Sequence, residues 1–495
     1  MLHNKKKNRI CLMVTLLLTA LFFLRKGSND NKIKFTFYDP NNIKQIPAEI
    51  IDQLYLEAQT NQHINWKRFA YVTYVSDIQY LCSTLLAFKS LSEEFKTKAK
   101  LVLLMDQTYV LGSNIHNSGI DDLLTQLRNI DNDQVIIKPI EVISNKIGTE
   151  YTWSSSYTKL WAFNETDFDR IIYFDSDATI KGNMDELFFL PDHIKFAATL
   201  TYWFLSKKNI DDLVMDNGNT KPLHGKLEKL KKLISYKQFY YNELPDVPSS
   251  LYAHSDNILE DLADATDDSI TYILQKQINR ETRGQLIMAS DLMVITPSTK
   301  TFQYIKDILI PRAFEEENKY DMDLLNADLY NLQNTVLKQI QTFRTDSVSF
   351  KPEVMILPFD RYNLLTGTIK NVEQYPLFNG GLLGYSLHGQ KRENMDVLNE
   401  IVEKAKYIHY SDNPLMKPWH YSAFYGETIE QSLQRSEFKA VCDNIDFTSA
   451  FQEKACLEWN SVYDTFYRRS RICPRNSPVE IFFPERKVST HTKSI

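Results

Sequence analysis

Apolar runs and polar punctuation alternate along most of this chain. The clearest run is Arg170–Leu187, RIIYFDSDATIKGNMDEL, where Ile171 to Phe174 lead straight into Asp175-Ser176-Asp177. A short unbroken apolar run closed by polar residues predicts a strand buried on both faces. Phe69–Val75 (FAYVTYV), Leu101–Met105, Val135–Ile140, Ile194–Leu200 and Leu286–Pro297 predict further strands. Tyr80–Leu91 and Asp121–Arg128 carry helical spacing, and Tyr157–Phe163 predicts a helix directly ahead of the 171–174 strand. Asp321–Tyr330 opens with acids, as a capped helix does. Met355–Phe359 and Arg361–Leu365 lie around a proline, and Lys406–His420 closes the ordered pattern. Strands alternating with helices imply a parallel α/β sheet. The turn after Val75 lacks G-x-G-x-x-G, which excludes a dinucleotide fingerprint. The chain also lacks G-x-x-x-x-G-K-[ST], which leaves an ATP-driven function without support.

The N-terminus carries a different pattern. Lys5, Lys6, Lys7 and Arg9 precede the uncharged Ile10–Leu24, and Arg25 and Lys26 follow. As a helix this run spans about 22 Å, against a hydrocarbon core of about 30 Å. Arg25-Lys26 stand where a cleavage site needs small residues, so an uncleaved anchor is expected rather than a signal peptide. The charge imbalance orients residues 1–9 to the cytosol and the rest to a lumen. The expected organisation is a tail (1–9), an anchor (10–24), a lumenal stem (25–66) with a helix at Pro47–Gln59, a catalytic domain (67–430) and a cysteine-containing extension (431–495). Residues 206–284 turn polar and aperiodic, which predicts a partly flexible insertion on the ligand side of the sheet.

Composition narrows the function. With 43% hydrophobic and 24% charged residues, the 495-residue chain is ordinarily globular. A net charge of −6 gives no basic footprint, so nucleic acid is excluded as the main partner. The 27 Tyr and 28 Phe suit both core packing and sugar stacking. Cys11 falls in the anchor, leaving Cys82, Cys442, Cys456 and Cys473, which allow three pairings. Three of them cluster near the C-terminus, so one bridge is expected there, with Cys82 as a buried small hydrophobe. No C-x-x-C occurs, which speaks against a structural zinc site. Asn164-Glu165-Thr166 is a glycosylation sequon, usable if lumenal and exposed.

The candidate chemistry sits at Asp175 and Asp177. Residues two apart on an extended backbone share a face. Both carboxylates would stand at the carboxyl end of a central strand, where open α/β sheets bind ligands. Two carboxylates so close repel unless a cation or a proton lies between them, and a divalent metal shared with a phosphate satisfies them. D-x-D recurs at Asp131/Asp133, Asp167/Asp169 and Asp321/Asp323, so the buried strand before Asp175 is what distinguishes this pair. A solvated turn whose acids cap the next helix is the structural alternative. D-x-D-x-T also fits haloacid-dehalogenase-like phosphatases, with Asp175 as nucleophile. Those enzymes need a later G-D-x-x-x-D, and the chain has no Gly-Asp pair.

Five segments in order resemble family 8 glycosyltransferases, the glycogenin-like retaining enzymes, and the likeness is strongest to fungal Golgi N-acetylglucosaminyltransferases acting on N-glycans. They are AYVTYVSDIQY, TKLWAF…DRIIYFDSD, DMDLLN, LPFDRYNL and YIHYSDNPLMKPW, which together cover about residues 67 to 422. The chain departs from the pattern at Ala289-Ser290-Asp291, where the family often has Asn-Ser/Ala-Gly. The resemblance implies a single GT-A type, Rossmann-like nucleotide-sugar-binding domain with a mixed, mainly parallel sheet. It implies Ser76, Asp77 and Tyr80 on the uridine, and Asp175, Asp177 and His409 as metal ligands. Lys417 pairs with the diphosphate, Asp321 holds sugar hydroxyls, and Lys159 reaches the donor. Asp321 and Lys159 are therefore the catalytic candidates. An imidazole beside two carboxylates favours Mn²⁺, with Mg²⁺ the alternative.

The implied function is a Golgi type II transferase moving N-acetylglucosamine from its UDP donor to an N-glycan or mannan acceptor. Three alternatives stand beside it: the same chemistry with UDP-glucose or UDP-galactose, the phosphatase, and a catalytically silent lectin-like protein.

Overall fold

The computed structural model describes residues 34–35, 44–61, 63–111, 118–131, 133–145, 153–208, 210–211, 223–236, 238–239, 244–245, 247, 287–316, 319–332, 352–378, 393–412, 417–420, 431, 442 and 447–473. The expected anchor at 10–24 lies outside them. Among the described residues, no helix is long and apolar enough to cross a membrane.

The body is a mixed α/β fold on a seven-stranded sheet. Its strands are β1 (Phe69–Val75), β2 (Lys100–Asp106), β3 (Val135–Ile140), β4 (Arg170–Phe174), β6 (Phe196–Leu200), β7 (Met288–Ile295) and β8 (Val354–Leu357), in the order β8-β6-β7-β4-β1-β2-β3. Four pairings are parallel, and β7 runs antiparallel to both neighbours. β4 occupies the centre with all five residues buried, as an apolar run without alternation requires. A second, three-stranded sheet joins β5 (Ala178–Ile180), β9 (Leu364–Leu365) and β10 (Tyr407–His409) in the order β9-β10-β5.

Helices cover both faces and contribute two large apolar clusters, one on each side of the sheet. α1 (Ala48–Asn61) falls within the expected stem, yet Ile50, Ile51 and Leu54 are buried in the body's core. α2 (Leu81–Lys89) follows a 3-10 turn at Ile78–Tyr80 and passes into a π-turn at Ser90–Glu94, so the predicted Tyr80–Leu91 helix changes hydrogen-bond period twice. The Tyr157–Phe163 helix forms as a 3-10 stretch, Ser156–Asn164. Within the predicted insertion, α4 (Leu223–Ser235) buries Leu227, Leu230 and Ile234, while residues 248–286 lie outside the description. α3 (Ser118–Ile130), α5 (Asn394–Lys404) and α6 (Ala450–Arg469) complete the helices that matter here. α6 belongs to the expected extension and buries Trp459, Tyr463 and Phe466 beside α5.

The cysteines need one correction. Cys442 and Cys456 pair within the C-terminal region, as expected. Cys82 is not a free apolar filler; it is bonded to Cys473 across 391 residues. The helical spacing around Cys82 reports only that one face of α2 is covered. It carries no information about a partner so far along the chain.

Candidate active site

The D-x-D turn is the seam between the two sheets. β4 ends at Phe174 in the large sheet, and β5 begins at Ala178 in the small one. Asp175-Ser176-Asp177 must cross between them, and three backbone contacts fix the crossing. The Asp175 N–H donates to the Asp291 carbonyl at 2.8 Å, and the Tyr410 N–H donates to the Asp177 carbonyl at 3.1 Å. The Ser83 hydroxyl on α2 donates to the Ser176 carbonyl at 2.5 Å.

The small sheet delivers the histidine. β10 pairs antiparallel with β5, and the register sets His409 opposite Ala178, one residue past Asp177. The ligand atoms of Asp175, Asp177 and His409 all lie within 4.8 Å of one another. The His409 Nε2 sits 3.1 Å from Asp177 Oδ1. Residues far apart in sequence thus converge through strand pairing, which side-chain periodicity alone cannot display.

Two ammonium groups complete the cluster. Lys417 Nζ lies 3.0 Å from Asp177 Oδ2 and also donates to the Tyr410 carbonyl. Lys159 is buried, with its Nζ 3.0 Å from Asp175 Oδ2 and 3.2 Å from Asp321 Oδ2. The Tyr173 hydroxyl donates to Asp175 Oδ1. Asp321 is itself buried, and helix capping falls to Asp323, which accepts the Tyr320 N–H at 2.9 Å.

Four carboxylates (Asp175, Asp177, Asp291 and Asp321) thus face two ammoniums and one imidazole. This excess of negative charge, half-buried beside three ligand atoms within one ion's reach, fits a divalent cation. Burial pushes Asp175 up to about 6, against the pull of Lys159 and with the help of Asp177. Burial would raise Asp177 too, but His409 and Lys417 overcome it and hold that carboxyl well below the usual range. Burial would lower His409, and the Asp177 carboxylate more than offsets it.

The predicted nucleotide side is a short walk away. Ser76, Asp77 and Tyr80 are half-buried at the end of β1 and in the turn after it. The Asp77 carboxylate accepts the Gln79 N–H at 3.1 Å and its side-chain amide at 2.7 Å. Tyr80 packs on Trp419, ring centroids 5.2 Å apart, so this turn meets the segment that carries Lys417. Asn164 is half-buried at the end of the 3-10 helix before β4, apart from the cluster.

One carboxylate has no role in the reading from sequence. Asp291, where the resemblance breaks, is buried on β7 with its Oδ2 3.8 Å from His409 Nδ1. Its Oδ1 accepts from Asn363 Nδ2 at 2.8 Å and from the Leu292 N–H at 3.0 Å. The available signal was the departure from the motif itself, an acid on a strand with no other charged residue.

No family model matches the chain. Curated relatives do. A protein of Saccharomyces cerevisiae named glucose N-acetyltransferase 1 is 41% identical over 448 residues, covering 88% of each chain. Its namesake in Candida glabrata is 36% identical over 89% of this chain and 87% of its own. Glucose N-acetyltransferase 1-B of Kluyveromyces lactis is 34% identical over 95% of this chain and 100% of its own. Among solved structures, the galactosyltransferase LgtC with donor and acceptor sugar analogues gives a TM-score of 0.34 at 10% identity, covering 78% of this chain and 99% of that one. The bifunctional glycosyltransferase WbbM gives 0.36 at 13%, covering 80% and 52%.

Proposed function

This chain is a glycosyltransferase of the glucose N-acetyltransferase 1 family, and from that premise we propose that it moves N-acetylglucosamine from a UDP donor to a mannose-containing N-linked glycan, with retention, in a Mn²⁺-dependent reaction in the Golgi lumen. The observation that carries this reading is the convergence of Asp175, Asp177 and His409 within 4.8 Å, with Lys417 against Asp177. A nucleotide-sugar donor leaves as a diphosphate, and negative charge grows on it as the sugar departs.

Asp175, Asp177 and His409 would hold the metal, which when bound supplies Lewis-acid stabilisation of that leaving group. Lys417 adds a positive charge on the same side. Lys159 makes both of its ion pairs with protein carboxylates, so it holds Asp175 and Asp321 in position. Asp321, kept at the same ammonium, is the acceptor for sugar hydroxyls. The turn at Ser76–Tyr80 takes the uridine, with Asp77 fixed by Gln79 and Tyr80 braced by Trp419. The mixed imidazole and carboxylate donor set supports Mn²⁺ over Mg²⁺.

The test is a panel of UDP-sugars with the purified lumenal portion, Mn²⁺ and a mannose-terminated N-glycan. UDP release is expected with UDP-N-acetylglucosamine and not with UDP-glucose or UDP-galactose. Acetyl-CoA serves as the control for the literal wording of the relatives' name, and acetyl transfer from it to glucose would overturn the reading. So would sugar transfer unaffected by EDTA.

A further inference from the structure

We infer that Asp291 is a positioning residue for His409: its buried carboxylate holds the imidazole proton on Nδ1 and so leaves Nε2 free to ligate the metal. The inference rests on the metal-site reading above.

The geometry has three parts. First, His409 stands between two carboxylates, with Nε2 3.1 Å from Asp177 Oδ1 and Nδ1 3.8 Å from Asp291 Oδ2. Second, Asp291 Oδ2 is buried and has no hydrogen-bond partner among the described residues, although its sister oxygen accepts two bonds. A buried acceptor left unpaired forfeits its hydration with nothing in return, so the fold keeps that oxygen at a penalty unless something uses it. Third, Asp291 is firmly placed. Its carbonyl accepts from the Asp175 N–H and the Tyr407 hydroxyl, so its strand position is tied to the D-x-D turn and to β10 together.

A neutral imidazole carries one N–H. With Nε2 turned toward Asp177, as here, the proton belongs on Nε2 and no metal can be bound there. Ligation through Nε2 requires the proton on Nδ1, where the unpaired Asp291 Oδ2 is the acceptor in line. At 3.8 Å the two atoms are not hydrogen-bonded. The bond requires the two atoms to approach by about 0.6 Å or more, a shift that ligation at Nε2 would have to bring with it. Metal-bound histidines commonly give their other N–H to a carboxylate, and loss of that partner typically costs 10–100-fold in metal affinity.

Asp291→Asn discriminates a positioning role from a packing one. The Asn363 Nδ2 and the Leu292 N–H are both donors, so they fix the amide oxygen at the Oδ1 position. The amide NH₂ then faces His409 and selects the tautomer that cannot ligate. Mn²⁺ titration of the metal-free protein by calorimetry should show binding about 10–100-fold weaker than wild type, with the metal-free variant melting no lower than wild type. Affinity within twofold of wild type would overturn the inference. Wild type that fails to bind Mn²⁺ at all would instead overturn the metal-site reading and this inference with it.

A second measurement needs no variant at position 291. In wild-type protein labelled with ¹⁵N-histidine and loaded with diamagnetic Zn²⁺, the His409 signals, assigned by their loss in His409→Ala, should show the proton on Nδ1. A proton on Nε2 refutes the assignment.

Discussion

At the scale of single residues the site is a set of charges that need one another. Lys159 is the plainest case, a buried ammonium between Asp175 and Asp321. Removing one partner of a buried ion pair leaves the other charge uncompensated, at a cost of about 3–5 kcal/mol. Lys159→Met should therefore lower the urea midpoint of the metal-free protein by that equivalent, and an unchanged midpoint would show that both aspartates find other partners. The protons make a second prediction. Asp175 holds its proton up to about pH 6 because of burial, and His409 keeps its own above the ordinary imidazole value because Asp177 outweighs burial. For the metal-free protein the sign is the same for both groups. Each adds stability while protonated in the fold, and that contribution is lost as pH rises through its raised pKa. A metal needs both ligands deprotonated. Log affinity for Mn²⁺ should rise with pH by about one unit per pH unit just above pH 6, more steeply below it, and level off once His409 is neutral. A flat profile from pH 5 to 8 would disprove the ligand assignment.

At the scale of elements, strands were readable and their partners were not. Phe69–Val75 and Arg170–Phe174 announce themselves because a strand covered on both faces needs consecutive apolar side chains. The motif order placed Asp175, Asp177 and His409 on a common list. What gives them a common location is the pairing of β10 with β5, between strands separated by more than two hundred residues. Periodicity reports which face of an element is covered, never by what. That limit explains the Cys82 correction, the silence about Asp291 and the 3-10 form of Ser156–Asn164, where the helical pattern was right and the hydrogen-bond period was not. The Cys82–Cys473 bond ties α2, just after the Ser76–Tyr80 turn, to the short turn that follows α6, whereas Cys442–Cys456 closes a short loop. Loop-closure entropy grows with the logarithm of the span. On that basis Cys82→Ser should destabilise by up to about 3 kcal/mol more than Cys442→Ser. Denaturant titration of the two variants, each freed of its orphan thiol by pairing with Cys473→Ser or Cys456→Ser, measures the difference. Equal losses would mean that the denatured chain already keeps the two ends of the long span together, so that its closure costs no more than that of the short loop.

At the scale of the whole molecule, chemistry and address have to agree. Two disulfides form and persist in an oxidising compartment, and they support a lumenal body. The uncharged run at 10–24, with more positive charge before it than after, supports a type II anchor that would keep the site on that side of the membrane. A sugar-nucleotide transferase acting on N-glycans needs the same orientation, since those acceptors are displayed in the secretory lumen. The two lines of support are independent, one resting on cysteine pairing and the other on charge asymmetry. Their joint consequence is measurable in cells. The full-length protein should stay in the pellet after carbonate extraction, and protease added to intact vesicles should remove no more than the short basic tail. Replacing residues 1–26 with a cleavable signal sequence should release a soluble, active body carrying both bridges. If the intact protein is instead extracted by carbonate, the run is no anchor; if protease digests the body in sealed vesicles, the site faces the cytosol and the N-glycan acceptor has to be abandoned.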